Sequence, residues 1–225
     1  MKFVLALATM VWLAYPLNKS KMQDDSLTFL ALGDSYTIGE SVAENERWPV
    51  QLAARLNEKG RQTASPKIIA TTGWRTDQLK SAIESDKELK ERYDLVSLLI
   101  GVNNQFQGKS VESFAPEFEE LLQTAIGLAG DKEKVIVLSI PDYGVTPFGA
   151  SRGEERIAKE LDEYNQVSKS ICERYEVKYF HITPISREAK ENSELIASDN
   201  LHPSGKMYGR WVDLIFNDVY ELLKQ

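Results

Sequence analysis

Ser35 lies in Gly33-Asp34-Ser35-Tyr36-Thr37-Ile38-Gly39-Glu40, directly after a short apolar run. A serine on a tight strand-to-helix turn presents its hydroxyl to solvent with backbone N–H groups beside it. The same fragment also reads as a helix cap or a plain turn. A hydroxyl nucleophile needs a base, and the base needs an orienting group. The chain has only two histidines, His181 and His202, so few residues can be the base. Asp199 stands three residues before His202. That spacing can set the carboxylate on the imidazole Nδ1–H and leave Nε2 free to take the Ser35 proton. His181 has no carboxylate at a comparable spacing and reads as a partly buried structural histidine.

Acyl transfer also needs donors aimed at the oxygen where charge develops. The backbone N–H of Ser35, the backbone N–H of Gly73 and the side-chain amide of Asn103 are the candidates, each following a different apolar run. Trp74, next to Gly73, reads equally as a wall of a substrate pocket or as packing. Arg75 reads as a partner for an anionic head group or as a solvated surface arginine. Cys172, beside Ile171 in a helical stretch, reads as core, not as a thiol nucleophile. One cysteine excludes an intrachain disulfide and Cys-rich zinc sites. No HExxH, no His pair at i, i+4, no GxGxxG and no P-loop occur, so no metal or nucleotide cofactor is expected. Lys and Arg total 27 against 34 Asp and Glu, a net charge of −7. That balance argues against a nucleic-acid partner, which needs a basic footprint.

These residues must be positioned by regular elements. Apolar runs at 27–32, 67–70, 95–100, 135–140 and 177–182 read as five strands. Amphipathic stretches at 49–56, from 76, and at 111–129, 154–175 and 206–223 read as helices. The strand runs are continuously apolar, as in a sheet buried on both faces. Alternating β and α elements then imply a mainly parallel five-stranded sheet in a three-layer α/β/α sandwich over residues 26–225. In such sheets the ligand site lies beyond the carboxyl ends of the strands. Ser35, Gly73 and Asn103 all fall just after a strand. The stretch 143–153 is the longest irregular one, and it could rim the site.

Residues 1–25 stand apart. Lys2 precedes an almost wholly apolar run over 3–17, which breaks into Asn18-Lys19-Ser20-Lys21. The run is short for a membrane span, which needs ~20 residues, and it lacks the polar face of a surface helix. It reads as a signal peptide for secretion or export to a periplasm. The cleavage site is poor, so an uncleaved anchor tethering the protein to a membrane is the other reading. No cysteine follows, which excludes a lipoprotein anchor.

The GDSYTIGE segment, the Gly73 segment, Gly101-Val102-Asn103-Asn104 and Asp199-Asn200-Leu201-His202-Pro203 resemble, in order, the sequence blocks of the SGNH hydrolases, or GDSL esterases and lipases. The resemblance runs from about Leu27 to the C-terminus and implies that family's flavodoxin-like fold. It implies Ser35 as nucleophile, His202 as base, Asp199 as its partner, and Gly73 and Asn103 with Ser35 as the oxyanion hole. It implies a lysophospholipase- or esterase-like hydrolase of acyl or acetyl esters that needs no cofactor. The alternatives are a carbohydrate acetylesterase or a non-catalytic binding protein on the same fold. Two positions depart from the blocks. Tyr36 replaces a leucine at a packing position. Asn104 replaces an acid, which leaves it a supporting or substrate-contacting role.

Overall fold

The computed structural model describes residues 26–224. The targeting segment expected at 1–25 lies outside the described residues. The sheet has five parallel strands in the order β2-β1-β3-β4-β5: β1 (Phe29–Gly33), β2 (Lys67–Ala70), β3 (Leu95–Leu99), β4 (Val135–Leu138) and β5 (Lys178–Phe180). Every residue of β1, β3 and β4 is buried, which requires helices on both faces.

Four long helices carry an apolar stripe at helical spacing: α2 (Trp48–Glu58), α5 (Val111–Ala129), α7 (Glu154–Tyr175) and α9 (Gly205–Leu222). With α3 (Thr76–Ser85) they form two rows, α2 on α9 and α3 on α5 on α7. Trp48 and Trp211, fully buried, anchor the first row. Trp48 is the first residue of α2, inside the helix that sequence periodicity starts one residue later.

The strands are shorter than their apolar runs. Val177 donates its amide to the Cys172 carbonyl at the end of α7, so it leaves the helix before it enters β5. Ile182 turns its amide to the Ser139 hydroxyl at 2.8 Å instead of continuing the ladder. Cys172 is core, and burial pushes its thiol up to about 12.

Four helices of four or five residues follow strands or sit in loops: α1 (Ser35–Ile38), α4 (Val102–Phe106), α6 (Pro147–Ala150) and α8 (Thr183–Arg187). They are too short to show a helical period in sequence. The strand order reverses between β1 and β3, whose ends are level because Gly33 pairs with both Ala70 and Leu99. The exits of β1, β2 and β3 therefore stand side by side at the place where open α/β sheets form their crevice.

Candidate active site

Ser35 is the first residue of α1, and Asp34 caps that turn by accepting the Tyr36 amide at 3.0 Å. The cap fixes Ser35 at the strand exit, 4% exposed. Asp34 itself is wholly buried, and its Oδ2 has no partner among the described residues. Burial pushes its carboxyl up to about 7, against the pull of the Tyr36 amide and its own.

The β2 exit turns at Thr72-Gly73, and Gly73 has φ +86, in the left-handed region where only glycine is at ease. No acceptor among the described residues takes the Gly73 amide. The β3 exit is Gly101, with φ +128, packed so closely that a Cβ would meet Phe114 and Ile140 at 2.8 Å. That turn starts α4 at once and so brings Asn103 to the crevice. Asn103 Nδ2 donates one hydrogen bond to the Trp74 carbonyl at 2.9 Å, which orients the amide and leaves its second N–H.

His202 comes from a tight loop closed by pairing of Ile196 with Pro203 and by the Ala197 amide on the His202 carbonyl at 2.8 Å. Asn200 at the loop tip has φ +64. Asp199 Oδ1 accepts the Leu201 and His202 amides, both at 2.9 Å. Its Oδ2 lies 2.5 Å from His202 Nδ1 and accepts the Ser41 hydroxyl at 2.7 Å. Partial burial raises this carboxyl, but the His202 ring, the two amides and Ser41 outweigh it and hold the pKa down at about 2. Tyr36 packs its ring edge-on against His202, centroids 5.7 Å apart, so this departure from the leucine of the sequence block buttresses the imidazole.

Ser35, Gly73, Asn103 and His202 line one cavity of about 180 Å³. Its other walls include Tyr36, Val102, Phe106, Tyr143, Phe148 and Leu201. Asp199 stands behind His202, outside that wall. A hydroxyl, an imidazole carrying a carboxylate on its far nitrogen and a group of N–H donors in one crevice are the parts that acyl transfer requires.

Two expected substrate contacts fall elsewhere. Asn104 is fully buried and lines no part of the cavity. Its Oδ1 accepts the Thr76 amide at 3.2 Å, and its Nδ2 donates to the Thr76 hydroxyl at 2.6 Å and to Glu117 at 3.4 Å. It ties the start of α3 to α4 and thereby supports Asn103. Trp74 is half-buried against the core, and it is its carbonyl that faces the site through Asn103. Arg75 is held by Asp77 and Gln107. His181 is exposed, not partly buried, because β5 ends at Phe180.

The sequence singles out neither Ser41 nor Phe106 as part of the site, whereas Tyr143 and Phe148, from the 143–153 stretch expected at the rim, do line the cavity. Ser41 is 158 positions from Asp199, so no spacing rule connects them.

The chain matches the GDSL-like Lipase/Acylhydrolase family over residues 31–210. No curated protein sequence matches it. Among solved structures it is similar to TesA, with TM-score 0.68 and 16% identity over 87% of this chain and 99% of that one. It is similar to a lipase/acylhydrolase from Enterococcus faecalis, with TM-score 0.67 and 18% identity over 87% and 96% of the two chains. For Axe2, an acetylxylan esterase from Geobacillus stearothermophilus, the TM-score is 0.62 and the identity 16% over 91% and 97%. At such identities these likenesses establish the fold.

Proposed function

The chain belongs to the GDSL-like lipase/acylhydrolase family and hydrolyses ester bonds, and we propose that it does so as a serine esterase through an acyl-enzyme. The observation that carries this reading is the cavity shared by Ser35, Gly73, Asn103 and His202, with Asp199 on His202 Nδ1. Ser35 Oγ attacks the ester carbonyl carbon while its proton passes to His202 Nε2. The carbonyl oxygen becomes an oxyanion, met by the Ser35 and Gly73 amides and the second N–H of Asn103. The C–O bond to the alcohol breaks, and the alcohol leaves with the proton from His202. Water then attacks the acyl-serine, giving its proton to His202, and Ser35 recovers a proton as the acid departs. Asp199 remains a carboxylate throughout, consistent with its four donors.

The cavity is below the ~300 Å³ at which sites for drug-sized ligands begin. That volume supports a short acyl group in the cavity, with the leaving group outside. Small-molecule esters and lysophospholipid-like esters are the first reading. Acetylated sugars are the second, favoured by the small cavity and by the fold shared with Axe2. Export through residues 1–25, with 3–17 as a tether if the segment is retained, belongs to the same proposal, and cell fractionation tests it.

The deciding experiment measures turnover of p-nitrophenyl esters from acetate to palmitate, with lysophospholipid and acetylated xylan alongside. Short esters should turn over, a fluorophosphonate should label Ser35, and Ser35→Ala should lose activity while keeping its melting temperature. Labelling at another serine, or near-wild-type turnover by Ser35→Ala, would overturn the nucleophile assignment. A folded wild type inert toward every ester would favour the binding-protein reading.

A further inference from the structure

Phe106 and Phe148 line the cavity that holds Ser35 and His202, their ring centroids 6.2 Å apart. Over them lies one guanidinium. The Arg152 Cζ is 4.4 Å from the Phe148 centroid and 5.5 Å from that of Phe106. Its backbone is fixed from both sides. The Arg152 amide donates to the Gly149 carbonyl at 2.8 Å, and the Arg156 guanidinium donates to the Arg152 carbonyl at 2.9 Å.

Arg152 also lines a larger groove that shares Phe106 and Tyr143 with the catalytic cavity. It therefore stands where the catalytic cavity meets the larger groove. Arg55, Arg75, Arg156, Arg174, Arg187 and Arg210 each hold a carboxylate within 4 Å. Arg152, like Arg47, Arg61 and Arg92, holds none among the described residues, and of these four it is the one that lies over the rings of the cavity. No described hydrogen bond uses its guanidinium N–H groups. Glu160, in the same groove, is already bound by Arg156 at 2.9 Å. A positive charge held on two aromatic faces, with its donors uncommitted, is preorganised for an anion.

We propose that Arg152 is a specificity residue that favours esters carrying a carboxylate or phosphate on the part of the molecule emerging past Phe106 and Phe148. This rests on the esterase reading above. The guanidinium offers paired N–H donors to such an anion, and the stacking reduces the side-chain freedom lost on binding. A neutral ester of the same size makes the same contacts with the rings but none with the charge.

The test uses matched substrates with wild type, Arg152→Gln and Arg152→Lys. On the acyl side, p-nitrophenyl valerate is set against the p-nitrophenyl monoester of glutaric acid. On the alcohol side, phenyl acetate is set against para-acetoxybenzoate and para-acetoxyphenyl phosphate. The wild type should favour the anionic member of at least one pair, relative to Arg152→Gln, by about tenfold in kcat/KM. The change should sit mainly in KM and shrink as salt is raised. Arg152→Lys should keep part of the preference. Which pair responds locates the anion, and carboxylate against phosphate identifies its kind. If Arg152→Gln lowers both members of every pair equally, or changes none, the inference is overturned and the esterase reading stands. If the wild type turns over no member of any pair, neutral or anionic, the esterase reading itself has failed.

Discussion

Asp34 and Asp199 flank the two reacting residues, and their surroundings are opposite. Asp34 sits in the turn beneath Ser35, wholly buried, with one oxygen on an amide and the other without a partner. Asp199 sits in the loop before His202, partly open to solvent, and its two oxygens meet two amides, a hydroxyl and an imidazole. The first carboxyl is pushed up to about 7 by burial, and the second is held down at about 2 by its donors. Complete burial on one side and the number of donors on the other, more than distance from the chemistry, separate a carboxyl that caps a turn from one kept charged to support an imidazolium.

The largest effect is expected at Asp199. Asp199→Asn keeps an oxygen for the two amides but favours the wrong imidazole tautomer, so kcat should fall by about 10⁴-fold. The linkage has a definite sign. A carboxyl whose pKa is depressed in the fold contributes stability above its unfolded value near 3.8 and loses it as pH falls through about 2. The melting-temperature deficit of Asp199→Asn should therefore be constant above about pH 5 and shrink below about pH 4. A deficit that grew toward acid would mean that Asp199 is not the low-pKa group.

Asn103 and Asn104 offer the next test, because adjacent residues of one type have different surroundings. Asn103→Ala removes a donor that acts on the transition state, so kcat should fall ~10²–10³-fold with little change in KM. Asn104→Ala leaves the buried Thr76 amide without its acceptor and removes a donor from the Thr76 hydroxyl and from Glu117, which keeps the Thr76 hydroxyl. It should show first as a loss of stability measured by urea denaturation, with a smaller kinetic effect. Equal kinetic losses without any change in stability would merge the two roles.

Ser35, Gly73, Asn103, Asp199 and His202 were legible in sequence because each follows a strand or precedes a helix at a recognisable spacing. The parallel sheet was legible because its strands are continuous apolar runs. Arg152 was not legible, because its two ring partners come from α4 and α6, and helices of four or five residues leave no period to read. Ser41 was not legible because its partner, Asp199, lies 158 positions away in the chain. Asn104 stayed between a supporting and a substrate-contacting role because its type suits a buried clamp as well as a pocket wall, and only its full burial separates the two.

Asp34→Asn probes the raised carboxyl beneath Ser35. The asparagine keeps an oxygen for the Tyr36 amide and removes the titration. A carboxyl whose pKa is raised in the fold contributes stability that is complete below its unfolded value near 3.8 and lost as pH rises through about 7. The unfolding free energy of Asp34→Asn minus that of wild type, from urea denaturation, should rise between about pH 4 and 7 and level off above, by at most about 4 kcal/mol. A difference independent of pH would show that Asp34 does not titrate in this range.

The smallest expected effect is at Ser41, the hydroxyl that shares Asp199 Oδ2 with His202. Removing it leaves Asp199 with two amides on Oδ1 and the imidazole on Oδ2, so the carboxylate stays charged and aligned. One exposed hydrogen bond is worth about 0.5–1.5 kcal/mol, so kcat should fall only about two- to tenfold. Ser41 also has φ +64, where a side chain is strained and glycine is not. Ser41→Ala and Ser41→Gly should therefore lose the same activity, since both lack the hydroxyl. They should differ in stability, with Ser41→Gly melting higher because it relieves the left-handed turn. If the glycine variant were much less active than the alanine variant, backbone rigidity at residue 41, and not the bond to Asp199, would be what the site draws from this position.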